Sequence, residues 1–384
     1  MNIVVHRGTH EIGGCCTEIS TENARILIDY GSKLNGSSGE SINVPHIKDC
    51  DAVFVTHNHG DHIGELANIP DCVPIYMSST AKRITEAYCR HMGTDYLNGF
   101  DVSRVIEIHD YETVTLKGLE ITAVPSDHSA CGSYMYLVIG NGKKILHTGD
   151  YRLHGPHKDR LFAGVSALGK IDLLISEGTT LEREGTASFD ENRVEDVIRS
   201  LQDRYKYCFV LCSSGNIDRI ASAAKTVPRG KYFLVDKFQK SLLQIAEEQG
   251  KEYRGVFNKA LVVGNNLKAK AEKRGFCMIT RANSQMRKWL EYFSAVSPSD
   301  TCLIYSMWSG YLNQPSIKDF CSLANNMHMV HSSGHVVLQD MNELINVLDP
   351  DSILFIHTEA QADTVEIDLK SRIICLRDGE VFSI

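Results

Sequence analysis

Six consecutive residues constrain this chain more than any other feature: His57-Asn58-His59-Gly60-Asp61-His62. They follow an apolar run at 51–56 that predicts a buried strand, so four potential metal ligands lie on the loop where that strand ends. Two imidazoles two residues apart can face the same way, and Gly60 allows the turn that brings Asp61 and His62 in from another side. Imidazole nitrogen and carboxylate oxygen together suit zinc or manganese, so the hexapeptide predicts a metal site.

Length and composition point to a globular protein of two domains. The chain has 384 residues, of which 43% are hydrophobic and 23% charged. No apolar stretch is long enough to span a bilayer, and the residues at 1–7 predict a first strand rather than a signal peptide. The net charge of −8 argues against a nucleic-acid binder driven by bulk charge, but not against an enzyme whose metals supply a local positive field.

The 12 cysteines include no C-x-x-C pair, which favours reduced, buried thiols and a cytoplasmic protein. Cys15, Cys16 and Cys131 lie near the motifs discussed here. Contact with the metal is one interpretation of these cysteines, and we favour the other, that they are small packing residues.

The hexapeptide resembles the H-x-H-x-D-H signature of the metallo-β-lactamase fold. In that family an Asp at the position of Asp29, which ends an apolar strand, orients a ligating His. His128, in an S-D-H-S turn after a strand, resembles the third motif, and Asp150, in H-T-G-D, resembles the fourth, whose Asp bridges two metals. His147 competes for the third motif. We prefer His128 because of its turn, and expect His147 to pack behind Asp150.

The later part of the chain resembles the β-CASP group, the nucleic-acid-processing branch of that superfamily. A buried strand runs into Ser176-Glu177-Gly178-Thr179, which resembles motif A. The segment His331-Ser332-Ser333-Gly334-His335 resembles motif B, and His357, after another strand, occupies motif C. In this family, a His at motif C is typical of RNA-processing members, whereas a Val at this position is typical of DNA-repair members.

Within this group the chain is most similar to ribonuclease J-like enzymes. The stretch from Gly8 to Gly14 resembles their G-G-x-x-E-I-G-G opening, although Cys15 replaces the polar residue expected next. The sequence does not match the C-terminal domain through which ribonuclease J dimerises. We therefore leave both a monomer and a homodimer open.

The implied fold is α/β: a metallo-β-lactamase αββα sandwich with an inserted α/β β-CASP cap domain. Alternating strands and helices from about residue 185 support a parallel sheet in the cap. The predicted domains are residues 1–184 for the first part of the sandwich, 185–327 for the cap, and 328–384 for the return to the sandwich.

The resemblance also implies a role for each candidate site residue. One metal would be bound by His57, His59 and His128, a second by Asp61, His62 and His357, and Asp150 would bridge them. The catalytic residues would be Asp61, His335 and Glu177, with His335 donating a proton or hydrogen bond and Glu177 orienting it. Candidate phosphate-binding residues lie in motif B and at the end of a cap strand: Ser332, Ser333, Gly334, His335, Ser213, Ser214 and Asn216.

The predicted function is a metal-dependent phosphodiester hydrolase, specifically a ribonuclease with 5′-exo activity, endo activity or both. Two zinc ions would activate a hydroxide, with manganese as the alternative metal and single-stranded RNA as the expected partner. A hydrolase of small esters, lactones or thioesters, a DNA nuclease and a non-catalytic homologue are the alternatives. The cap with Glu177, His335 and His357 favours the nuclease over the small-molecule hydrolase, and the filled ligand positions argue against a non-catalytic protein.

Overall fold

A computed structural model of the protein describes residues 1–34, 41–93, 95–181, 190–359 and 371–384. The chain divides into two units: Met1–Ala187 with Gly334–Ile384, and Ser188–Ser333. The predicted boundary between residues 184 and 185 lies outside the described residues. The sequence predicted the return at residue 328, and the first unit resumes at Gly334. Within the described ranges, no helix is both long enough and apolar enough to cross a membrane.

The first part of the first unit is rich in strands. Its elements, in chain order, are β1 (Asn2–Arg7), β2 (Cys16–Ser20), β3 (Arg25–Ile28), β4 (Ala52–Phe54), α1 (Gly60–Ile63), β5 (Ile75–Ser78), α2 (Ser79–Met92), β6 (Val105–Ile108), β7 (Thr113–Leu116), β8 (Leu119–Pro125), β9 (Tyr134–Gly140), β10 (Lys143–His147), α3 (Lys158–Ser166) and β11 (Leu173–Glu177).

The second unit alternates helices and strands. Its elements are α4 (Glu191–Arg204), β12 (Tyr207–Leu211), α5 (Ile217–Lys225), β13 (Tyr232–Val235), α6 (Lys237–Gln249), β14 (Ala260–Val262), α7 (Asn265–Arg274), β15 (Phe276–Thr280), α8 (Ser284–Val296), β16 (Thr301–Tyr305), α9 (Pro315–Cys321) and β17 (Met327–Met329). The strands form a sheet in the order β14-β13-β15-β12-β16-β17, and every neighbouring pair is parallel. Such a sheet needs helices as connections, which explains the alternation seen in the sequence.

The chain then completes the first unit with α10 (Leu338–Leu348), β18 (Ser352–Ile356), β19 (Arg372–Ile374) and β20 (Val381–Ser383). These strands join both sheets of the unit. The first sheet has the order β20-β1-β2-β3-β4-β5-β6, and the second has the order β19-β18-β11-β10-β9-β8-β7.

Both sheets of the first unit contribute to one central core. In β4, Phe54 packs into this core together with Tyr136 of β9 and Ile175 of β11. Its neighbour Val53 packs into a different cluster, with Ile63 of α1. This alternation follows from the period of two along a strand, and it gives each sheet one face toward the other sheet and one toward helices.

Helices cover the outer face of each sheet. Ala81 of α2 belongs to the cluster outside the first sheet. Outside the second sheet, Val165 of α3 and Leu344 of α10 pack in one cluster with Leu174 of β11. The order of layers is helix, sheet, sheet, helix, so the αββα sandwich predicted from the sequence is confirmed.

Candidate metal centre

The ligand-type residues of the first unit follow the carboxyl ends of its strands. Strands β10, β11 and β18 run parallel to one another, as do β3 and β4, so their ends meet at one edge of each sheet. The residues that follow these ends, and the end of β8, are Asp29, His57, His59, His128, Asp150 and His357, and Glu177 is the last residue of β11.

Three histidines and one carboxylate form a first cluster. His57, His59, His128 and Asp150 each offer one ligand atom, and these atoms lie within 4.8 Å of one another. His128 Nε2 is 3.3 Å from His59 Nδ1, and Asp150 Oδ2 is 3.6 Å from His57 Nε2. Three imidazole nitrogens and one carboxylate oxygen are a donor set that suits zinc or manganese.

Hydrogen bonds on the far side of the rings fix which nitrogen faces the cluster. Gly334 O lies 2.6 Å from His128 Nδ1. A carbonyl can only accept, so Nδ1 carries the proton and the lone pair of Nε2 faces the cluster. Thr56 Oγ1 lies 3.1 Å from His57 Nδ1 and fixes that ring in the same way, since its own hydroxyl donates to Asp29.

A second cluster contains a residue that the sequence analysis did not assign to the metal. Ligand atoms of Cys15, His62 and His357 lie within 4.8 Å of one another. Asp61 lies next to one of the three, because its Oδ2 is 3.1 Å from His357 Nε2. Asp150 Oδ2 is 3.4 Å from His62 Nε2, so this carboxylate lies against both clusters. Nothing in the spacing of the cysteines signals the position of Cys15.

Asp29 orients the loop that carries the hexapeptide. Its Oδ2 accepts a hydrogen bond from His62 Nδ1 at 2.8 Å, which leaves His62 Nε2 for the cluster. Its Oδ1 accepts from the backbone N–H of Thr56 at 2.7 Å. Asp29 has a φ of 63°, a left-handed conformation that Asp and Asn tolerate better than most residues.

Several buried polar atoms at this edge have no hydrogen-bond partner among the described residues. They are His57 Nε2, His62 Nε2, Asp150 Oδ1 and Asp150 Oδ2. A buried polar group without a partner costs about 1–3 kcal/mol, and native proteins contain few of them. Four such atoms converging on one place, all of them metal-ligand types, fit bound cations.

The protonation of the first cluster agrees with metal binding. Burial lowers the pKa of His57, His59 and His128. Their rings are therefore neutral at pH 7, which is the form in which imidazole binds a metal.

Neighbouring groups shift the pKa values of the second cluster. Burial acts to lower the pKa of His62, but Cys15 and Asp150 outweigh it and raise that pKa well above its ordinary value. Burial likewise acts to raise the pKa of Asp61, but the hydrogen bond from His357 prevails and lowers it. A divalent cation would take the place of the proton that its neighbours favour on His62.

His335 and Glu177 form a pair beside the clusters. His335 Nδ1 is 2.9 Å from Glu177 Oε2 and 3.5 Å from Asp150 Oδ2. The other oxygen of Glu177 accepts from the backbone N–H of Tyr151 at 2.8 Å. Burial acts to lower the pKa of His335, but Glu177 and Asp150 raise it above its ordinary value. The side chain of His335 is 24% exposed, whereas that of Glu177 is 1% exposed.

His147 lies apart from both clusters. Its Nδ1 accepts from the backbone N–H of Gly149 at 3.1 Å, and its Nε2 is 3.3 Å from Thr17 Oγ1. Burial lowers its pKa to about 4, so it is a neutral ring held by two hydrogen bonds.

The predicted phosphate-binding residues are divided between the units. Gly334 and His335 belong to the first unit, and the remainder (Ser332, Ser333, Ser213, Ser214 and Asn216) to the second. Asn216 caps α5 by accepting from Arg219 N at 3.1 Å, and Ser213 Oγ accepts from Gly215 N at 3.3 Å. Their role in phosphate binding stays a prediction.

Comparison with known proteins identifies similar sequences. Residues 24–208 match the family model described as the Beta-lactamase superfamily domain. The chain is 28% identical over 201 residues to a "Probable RNase MJ4" of Methanocaldococcus jannaschii, covering 47% of this chain and 45% of that protein. It is 25% identical over 240 residues to an "RNase J-like protein" of the same organism, covering 56% and 52%. The chain thus spans about half the length of these relatives.

A solved structure shares the fold over almost the whole chain. It is that of a protein of unknown function from Enterococcus faecalis V583, with a TM-score of 0.80 and 19% identity. The match covers 99% of each chain. At this identity the likeness concerns the fold alone.

Proposed function

This chain contains a metallo-β-lactamase superfamily domain, and from that premise we propose that it is a metal-dependent ribonuclease. The observation that carries the proposal is the pair of ligand clusters, in which Asp150 of the first lies against His62 of the second, with His335 and Glu177 beside them. The relatives named as RNases support RNA as the substrate class.

The ligand sets support a proposal for the residues that would hold two divalent cations. His57, His59 and His128 would hold one, the group of Asp61, His62 and His357 would hold the other, and Asp150 would contact both. Such a pair of cations, when bound, supplies a water of lowered pKa and positive charge that faces the phosphate oxygens. We propose zinc, because imidazole-rich ligand sets suit it.

His335 is the residue we propose to act on the leaving oxygen. Its Nδ1–H is bound by Glu177, so its Nε2 is the nitrogen that can give a proton. Its exposed fraction of 24% lets a substrate reach the ring. Glu177 is a positioning residue: it fixes the ring and raises the pKa of His335, which keeps the imidazolium form populated near neutral pH.

The proposal is tested with purified full-length protein loaded with zinc or manganese. The substrates are end-labelled single-stranded RNAs with a 5′-monophosphate, 5′-triphosphate or 5′-hydroxyl, and DNA of the same sequence. The double variant Asp61→Ala/His62→Ala removes two ligands. Asp71→Ala/His109→Ala changes an Asp and a His that are exposed, and serves as the matched control.

The expected result is cleavage of RNA by the wild type and the control variant, and loss of cleavage in the ligand variant. Mononucleotides from the 5′-monophosphate RNA indicate a 5′-exonuclease, and internal fragments indicate an endonuclease. If the protein cleaves DNA in preference to RNA, the ribonuclease proposal is wrong and the protein is a DNA nuclease. Metal-loaded protein that leaves both nucleic acids intact but hydrolyses small esters, lactones or thioesters would overturn the nuclease proposal, since this fold hosts several chemistries.

A further inference from the structure

The second cluster has a donor that the first cluster lacks, a cysteine thiol. We propose that Cys15 binds the second metal ion through its sulfur, together with His62 and His357. The ligand atoms of these three residues lie within 4.8 Å of one another, and all three residues are buried. The inference deepens the proposed function and rests on its premise of two metal sites.

The backbone fixes Cys15 against the ligand loop. Its N–H donates to Asp61 O at 2.9 Å, and its carbonyl accepts from Gly31 N at 3.0 Å. Gly14, immediately before it, has a φ of 66°, and a Cβ there would lie 2.4 Å from Arg7 Cδ. A glycine is therefore required for the chain to enter this position, and the sulfur is held near the imidazoles by main-chain geometry rather than by loose packing.

The two adjacent cysteines have different surroundings. Cys16 begins β2 and packs in the apolar cluster outside the first sheet, with Leu27 and Val53. Cys15 precedes β2 and is not part of that cluster. Its sulfur instead lies within 4.8 Å of ligand nitrogens of His62 and His357. A packing role explains Cys16 but does not explain Cys15.

A second, independent observation points to a cation at this thiol. His62 Nε2 has no hydrogen-bond partner among the described residues, although the side chain of His62 is only 2% exposed. Asp29 occupies the other ring nitrogen. The unpartnered nitrogen and the thiol therefore belong to one pocket of metal-ligand atoms.

The proposed donor set predicts which metal each cluster selects. A thiolate favours zinc, whereas manganese and magnesium favour oxygen ligands. We expect the second cluster to bind zinc strongly and manganese weakly. The first cluster, with three imidazoles and a carboxylate, accepts either. On binding, the thiol proton of Cys15 leaves to solvent and the sulfur is neither oxidised nor reduced.

Cobalt(II) substitution tests the sulfur ligand without reference to catalysis. Metal-free full-length protein is loaded with two equivalents of Co²⁺, and its near-ultraviolet absorption is recorded. The variants are Cys15→Ser and, as a matched control, Cys16→Ala. We expect a thiolate-to-cobalt charge-transfer band in the wild type and in Cys16→Ala, and none in Cys15→Ser. Dissociation constants for zinc come from competition with a chelating dye.

The loss of a direct ligand should weaken the second zinc of Cys15→Ser by more than the roughly 10–100-fold that an outer partner contributes. Wild-type protein with two bound cobalt ions and no such band would overturn the inference, as would a Cys15→Ser variant that keeps the band or binds both zinc ions as tightly as the wild type. If Cys15→Ser fails to fold, the test of the sulfur ligand is whether the wild type and Cys16→Ala both show the charge-transfer band.

The RNA assay on the same samples separates the two proposals. If the wild type cleaves RNA but shows no charge-transfer band, the proposal of a sulfur ligand is refuted and the ribonuclease proposal is retained. If the wild type shows the charge-transfer band but cleaves no RNA, the ribonuclease proposal is refuted and the proposal of a sulfur ligand is retained.

Discussion

Thr179 Oγ1 lies 2.7 Å from His357 Nδ1 and 3.2 Å from the carbonyl oxygen of the same residue. The carbonyl can only accept, so the hydroxyl donates to it and in turn accepts from the imidazole N–H. His357 has a φ of 53°, which non-glycine residues adopt infrequently. One hydroxyl thus fixes both an unfavourable backbone conformation and the ring nitrogen that faces Asp61.

Replacing this hydroxyl should weaken the second metal site. Thr179→Val has nearly the same shape but cannot accept from His357, so the ring loses its fixed orientation. We expect zinc affinity at the second cluster to fall by about 10–100-fold, as when other outer partners of a ligating His are removed. Competition with a chelating dye measures this loss. Thr179→Ser retains the hydroxyl and should bind zinc nearly as the wild type does; equal affinity in Thr179→Val would refute the role.

Glu177→Gln should change the pH profile of catalysis more than the metal content. The amide removes a negative charge beside His335, so the pKa of His335 falls from its raised value. Since the proton donor is the imidazolium form, the loss of kcat at high pH should begin at a lower pH than in the wild type. We expect kcat near pH 7 to fall by less than the roughly 10²–10⁴-fold that His335→Ala should cost.

The measurements are pH–rate profiles of both variants and their zinc content by elemental analysis. A Glu177→Gln variant that retains the wild-type profile would show that Glu177 does not act through His335. A variant that loses its zinc would instead assign Glu177 to the metal site.

The carboxylate of Glu18 should stabilise the fold, and this stabilisation should be lost at low pH. Its carboxylate is 2.7 Å from Arg25 Nη2 and 2.9 Å from His6 Nε2. Burial acts to raise the pKa of Glu18, but these partners lower it to about 2. Because the folded-state pKa lies below that of the unfolded chain, the stabilisation is complete above the unfolded pKa, near 4.5, and is lost as the pH falls toward 2.

The test is urea unfolding of wild type and Glu18→Gln, with metal removed from both. At neutral pH the variant should be less stable by on the order of 1–2 kcal/mol, after allowance for solvent screening. The difference should shrink as the pH falls below about 4. A difference that is independent of pH would show that the charge of Glu18 does not stabilise the fold.

The strands of the first unit could be predicted because local patterns determine them, whereas the order of its layers was expected from the resemblance to the metallo-β-lactamase fold. The apolar run before His57 forms β4, and the run before Glu177 forms β11. Strands that end in ligand-type residues come together wherever they share a sheet edge, so the structure brings His57, Asp150 and Glu177 to one place. Their assigned roles in metal binding and catalysis stay predictions.

Two contributors to the site lie near or within the sequence motifs but received no role from them. Cys15 lies far from the hexapeptide along the chain, and the pairing of residues 14–15 with 31–32 and 61 brings it there. Thr179 belongs to the segment that resembles motif A, but the sequence did not predict that it contacts His357. In the second unit, Asn216 follows a strand as a ligand-binding residue would, yet its side chain caps α5. Capping and ligand binding use the same residue types at the same positions, so the pattern alone cannot separate them.

Gly31 is the position where the smallest substitution should damage the site most. An added Cβ would lie 1.6 Å from Asp61 O and 2.7 Å from His62 N. The segment cannot simply move away, because Gly31 N donates to Cys15 O at 3.0 Å and Tyr30 N donates to His62 O at 2.9 Å. Gly31→Ala must therefore separate the strand end from Asp61 and His62, and with them from Cys15.

We expect Gly31→Ala to lose about 1–3 kcal/mol of unfolding free energy, as overpacked sites do, and to lose the second zinc before the first. Urea unfolding and metal titration measure the two effects. Gly264→Ala is the control, because a Cβ there meets no atom within 4 Å and its φ of −159° suits any residue. Gly264→Ala should lose less than about 1 kcal/mol of unfolding free energy, because Gly264 only precedes a helix. The variant protein should bind both zinc ions. A Gly31→Ala protein with wild-type stability and two tightly bound zinc ions would contradict the close approach on which the placement of Asp61, His62 and Cys15 depends.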